Sequence, residues 1–210
     1  MIKTKRIDLL LRLVFFLLSL EIFGRANAFG YGYGMRGKDT LAAVYEDMRD
    51  FLKNNDYAGI KREIEKIDVP LNNYHNYYGI ALKPLFLQAI EKQEANTLII
   101  TLEKLIYFGI REKIYWNKKE KLEKPVSAQA MLRVIAQYYE LLKPKIKEYD
   151  TQNNTNLNHE IMELLIKMNE SLGTTGTFGY KAQPPNLEEF IRLSVSLEDV
   201  LATVFHYFLE

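Results

Sequence analysis

Residues 96–119 read NTLIITLEKLIYFGIREKIYWNKK. Leu98, Leu102, Leu105, Ile106, Gly109, Ile110, Lys113 and Ile114 recur at steps of three and four along this stretch. That spacing predicts a long helix with one broad apolar face. No segment of the chain shows a sustained period of two bounded by hairpin turns, so strands are not expected.

The same helical rhythm continues on both sides. Upstream, Leu41, Val44, Tyr45, Met48 and Leu52 form one stripe on residues 38–55, with Asp39 as N-cap. Ile60, Ile64 and Ile67 share a face of residues 57–67, and Asp68-Val69-Pro70 is expected to end that helix, because a residue before proline is pushed out of the helical region. Residues 71–92 carry Tyr74, Tyr77, Tyr78, Ala81, Leu85 and Ala89, with a kink or split expected at Pro84.

Downstream, Lys124-Pro125 closes a hairpin and Ser127 is expected to cap a helix over residues 128–149, with Pro144 kinking or stopping it. Met131, Leu132, Ile135, Tyr138, Tyr139 and Leu142 are its expected buried face. The asparagine-rich stretch 150–158 predicts a polar loop. Ile161, Leu164, Leu165 and Met168 then mark a helix over 159–172, and GTTGTFG at 173–179 is a loop. Asn186 with Glu189 reads as a capping box opening a last helix, 187–209, with a break expected at 194–196 and Ser196 with Asp199 capping the second piece. The fold class expected is all-α: an antiparallel bundle of about six or seven helices in one domain, residues 38–210.

The start of the chain has a different grammar. Lys3, Lys5 and Arg6 precede an apolar run, Leu9–Leu20, and the stretch closes on Arg25-Ala26-Asn27-Ala28. This is the pattern of a secretory signal peptide, residues 1–28, cut after Ala28. An uncleaved membrane anchor is the alternative, but Asp8, Arg12 and Glu21 interrupt the run and leave Leu13–Leu20 too short to span, since a spanning helix needs roughly 20 apolar residues. Residues 29–37, FGYGYGMRG, hold four glycines and read as a flexible Gly/aromatic arm. The Lys-rich start and the lack of cysteine favour a bacterial periplasmic or secreted location.

Composition narrows the chemistry. The expected signal carries five of the chain's 28 basic residues and two of its 27 acidic ones, leaving 23 against 25. Without a basic excess there is no electrostatic claim on nucleic acid, and the membrane is met only through the export signal. The absence of cysteine removes thiolate metal sites, iron–sulfur clusters, covalent haem and a thiol nucleophile. No G-x-S-x-G elbow is present, and the loop at 173–179 lacks the G-K-[ST] ending of a phosphate-binding loop. No catalytic group is therefore assigned.

The chain has three histidines. His159 and Glu163 stand one helical turn apart and are candidate metal ligands, with His75 among Tyr74, Tyr77 and Tyr78 as a third. His206 with Met35 or Met48 would mimic a non-covalent haem pair. The aromatic content, rich in tyrosine, suits recognition of a partner protein or a small ligand. The expected function is thus an exported helical binding protein, with a metal- or haem-carrying bundle as the alternative.

Overall fold

A computed structural model describes residues 39–174 and 183–208. The expected signal peptide, the glycine-rich arm, Met35 and most of the 173–179 loop lie outside the described residues. Among those described, eight α-helices form an all-helical bundle with no named strand. They are α1 (Thr40–Lys53), α2 (Tyr57–Lys66), α3 (Asp68–Tyr78), α4 (Leu82–Glu91), α5 (Ala95–Lys119), α6 (Pro125–Asn153), α7 (Leu157–Ser171) and α8 (Leu187–Val204). A short 3-10 turn, His206–Phe208, follows α8. None of these helices is long and apolar enough to cross a membrane.

Helix α5 is the axis. Between Leu98 and Ile114 it is buried nearly all round, because α1, α4, α6, α8 and the terminal turn all pack on it. Its partner α6 runs antiparallel: Glu103 meets Lys145 near one end of the pair, and Asn117 meets the carbonyl of Ala128 near the other. Close approach of the two helices depends on Gly109, where a Cβ would lie 2.6 Å from the fully buried Tyr138 ring. Helices α7 and α8 form a second pair, tied where the Asn186 amide donates to the Ser171 carbonyl. At Gly173, with φ of +73°, a Cβ would run into the Gln183 carbonyl. Thr174 and Gln183 there exchange backbone hydrogen bonds.

Several boundaries differ from expectation, each for a local reason. Asp68-Val69-Pro70 begins a helix rather than only ending one. Pro70 and Pro84 are both third residues of their helices, where the missing N–H has no intrahelical partner to lose. The split of residues 71–92 falls instead at Gly79, a left-handed cap whose N–H donates to the His75 carbonyl. Pro125, not Ser127, opens α6. Pro144 does not stop α6, since Leu142 and Ile146 are buried on either side and Lys145 is anchored to α5.

The 150–158 loop shrinks to three residues. Asp150, still helical, accepts from the Leu157 and Asn158 amides and the Thr155 hydroxyl, and so caps α7 from the preceding helix. Helix α8 does not break at 194–196, because Ser194 and Ser196 donate their hydroxyls to the Ile191 and Arg192 carbonyls of the same helix. It does end at Val204, short of 209. The expected cap at Asn186 is present, its side chain accepting from the Glu189 amide.

Candidate functional site

Two clusters of polar and aromatic side chains stand out on α5, one facing inward and one outward. The inward cluster centres on Glu103, whose side chain is 5% exposed. Lys145 reaches both of its carboxylate oxygens, at 3.0 and 3.3 Å, and donates to the Tyr207 hydroxyl at 2.7 Å. Tyr207 in turn donates to Glu103. Burial, with Glu103 adding to it, pushes the Tyr207 phenol far up, so it stays a donor at neutral pH. Tyr45 on α1 lies close by; burial raises its phenol too, against the Arg49 guanidinium that donates to it at 3.2 Å.

The terminal turn carrying Tyr207 is clamped by stacked rings. Phe208 lies 4.3 Å from Tyr107 and 4.7 Å from Phe205, centroid to centroid. Each polar group named here has a partner, and the charge on Glu103 is matched by Lys145. A satisfied buried network of this kind ties elements together. It joins α5, α6 and the terminal turn.

The outward cluster is open. The Arg111 guanidinium lies 5.5 Å from the Tyr78 ring and 5.8 Å from the Tyr107 ring, and its Nε is 3.3 Å from Glu198 of α8. The Tyr78 ring stacks on Phe108, and burial, with Glu112 adding, pushes its phenol up to about 12. One turn beyond Arg111, Tyr115 meets Trp116 edge to face. The Lys119 ammonium sits 4.7 Å from the Trp116 ring and 5.6 Å from that of Tyr115. Tyr115 is 44% exposed, and Tyr77, beside Tyr78, is 66% exposed. Ile191 and Val195, both exposed, share the flank of α8 that carries Glu198, at spacings of four and three.

The strip ends in the turn between α5 and α6. Lys121 and Leu122 are consecutive non-glycine residues with φ of +50° and +57°. Left-handed backbone costs an L-residue roughly 1–2 kcal/mol. The turn is held nonetheless: Leu122 is buried, its amide donates to the Asn117 carbonyl, and the Asn117 side chain reaches Ala128 across the hairpin. Lys121 is thereby left exposed at the tip.

The expected metal ligands sit elsewhere. His159 and Glu163 do approach on α7, Nε2 to Oε1 at 3.3 Å, with Glu163 shared by Lys167 at 3.7 Å. Both are well exposed. His75 is exposed on α3, and no three histidine, aspartate or glutamate side chains group as metal ligands among the described residues. His206 is exposed, whereas Met48 is fully buried on α1.

Sequence reasoning passed over Glu103, Lys145, Arg111 and the Tyr115–Trp116 pair. A signal for Glu103 does exist: residues 105–110 read LIYFGI, which leaves that part of the helix no polar face, so a carboxylate one turn away must find a buried partner. No protein-family model matches the chain, and no curated protein or solved structure matches it.

Proposed function

We propose that the chain is an exported helical interaction protein that recognises a partner protein through the outer flank of α5. The observation that carries this is Arg111, held between two tyrosine rings and Glu198, one turn from the Tyr115–Trp116–Lys119 group, in which Tyr115 and Lys119 are exposed and Trp116 is half-buried. Tyrosine, tryptophan and arginine are the side chains that dominate binding energy at protein interfaces, and here they stand together. Arg111 is pre-ordered by its ring contacts, so little rotamer freedom remains to be lost on binding. The inward Glu103 network supports the reading by fixing α5 against α6 and the terminal turn, which gives the surface a rigid base.

Export rests on residues 1–28, and intact mass of the protein recovered from outside the cytoplasm tests it. A chain starting at Phe29 supports export with cleavage, and a full-length chain confined to the cytoplasm refutes it. Recognition is tested by a photo-crosslinking amino acid at position 115 in producing cells, with position 152 on α6 as control. A discrete adduct formed only from position 115 supports the surface. The same products from both positions, or none from 115, would remove it.

The approach of His159 to Glu163 keeps a second reading, a metal carrier. Two protein donors from one helix leave the rest of a coordination shell to other ligands. Purified protein that retains stoichiometric metal, and loses it in His159→Ala, would favour that reading over the first. A Soret band in its absorption spectrum would favour haem instead.

A further inference from the structure

We infer that the partner segment seated on this surface is acidic, and that it docks across the tip of the α5–α6 hairpin. The inference rests on the recognition reading above and adds the chemistry of the partner. Two of the five lysines near the strip are already matched: Lys113 to Glu112, and Lys124 to Glu120 at 3.1 Å. Lys118 and Lys121 make no ion pair among the described residues, and Lys119 lies over aromatic rings rather than against a carboxylate. Glu123 is the one local acid that no lysine of the turn engages. Lys119 and Lys121 are exposed and Lys118 half-buried, on the stretch that also carries exposed Tyr115 and leads through the turn to exposed Val126.

A carboxylate-bearing segment fits that surface. Its acids would meet Lys118, Lys119 and Lys121, and an apolar side chain between them would rest on Tyr115 and Val126. Anionic lipid is the weaker fit. Lipid recognition uses clusters of roughly four to eight basic residues, and the net excess here is smaller, with Glu120 and Glu123 in the same turn. The constrained turn favours the same view, because Leu122 plugged into the core leaves Lys121 presented outward.

Trp116 is the chain's single tryptophan, so its emission reports on this surface alone. The purified chain is titrated with a synthetic peptide of Glu-Glu-Leu repeats, with a Lys-Lys-Leu peptide, and with phosphatidylglycerol vesicles. The acidic peptide is expected to give a saturable change in Trp116 emission. That binding should weaken as salt rises from about 0.1 to about 1 M, which shortens the screening length from roughly 10 to roughly 3 Å. Lys118→Glu with Lys121→Glu should weaken it on the order of tenfold or more, and the two glutamine replacements by less. The same reversal at exposed Lys61 and Lys92 should leave it unchanged.

No response to the acidic peptide, or a response indifferent to Lys118 and Lys121, would overturn the inference. So would a response to vesicles alone. A crosslinked partner at position 115 combined with a silent acidic peptide would sink the acidic chemistry and leave the recognition surface standing. Failure at position 115 would remove the surface itself.

Discussion

Glu103 shows what one side chain can hold together. Its carboxylate joins α5 to α6 through Lys145 and to the terminal turn through Tyr207. Glu103→Ala leaves the Tyr207 hydroxyl and the Lys145 ammonium without their shared acceptor. Because Lys145 is 39% exposed and can turn to water, the expected loss is about 2–4 kcal/mol rather than the full cost of a stranded buried charge. Glu103→Gln should cost less, and urea unfolding of both variants checks the order. Gly109→Ala should destabilise by about 1–3 kcal/mol, since a buried Tyr138 ring occupies the space and the gain in helix propensity is smaller. An Ala variant as stable as the parent would show that Tyr138 yields freely. On residues 71–92 Leu71, Leu82 and Phe86 are buried while the expected Tyr77 and Leu85 are exposed, yet elsewhere many apolar members of the core, such as Met48, Ile64 and Tyr138, were legible from spacing alone. Glu103 was not, because periodicity assigns a face to a residue and cannot name the partner that a distant helix brings to it.

Helices were legible in type and nearly in number, but their ends were set by contacts no local pattern contains. Asp150 is the clearest case. It belongs to α6 and caps α7, which turns an expected loop of nine residues into a connection of three. Burial pushes its carboxyl up, but the amides of Asn158 and Leu157 and the Thr155 hydroxyl outweigh that and hold it below its usual value. A lowered folded-state value gives stability that is present above the ordinary carboxyl range and lost as pH falls through the folded one. Amide exchange at Leu157 and Asn158 should therefore accelerate as acid protonates Asp150. Asp150→Ala should cost about 1 kcal/mol and remove that acid dependence. Unchanged exchange at these two amides would contradict the capping role. Serines 194 and 196 teach the complementary lesson: side chains that suggest a break lie within an unbroken helix once their hydroxyls bond back to it.

Tyrosine links packing to pH across the molecule. Burial raises Tyr78 and Tyr139 to about 12, from 10.0. A raised value means the folded state keeps its proton longer than the unfolded chain does. The stability these residues contribute is complete below about pH 10 and drains away between about pH 10 and 12. Urea midpoints should be flat across neutral pH and fall in that alkaline window, less so when Tyr78 and Tyr139 are both phenylalanine. The outer strip on α5 became visible only with the fold, because Tyr78, Arg111 and Glu198 come from three helices and meet nowhere in the sequence. The central claim is that this strip binds, and the most direct measurement is the affinity of the partner captured at position 115 for alanine variants of Arg111 and Tyr115. Each truncation should weaken binding by about tenfold or more, about 1.4 kcal/mol, with the fold intact. Affinities equal to that of the parent chain would contradict it.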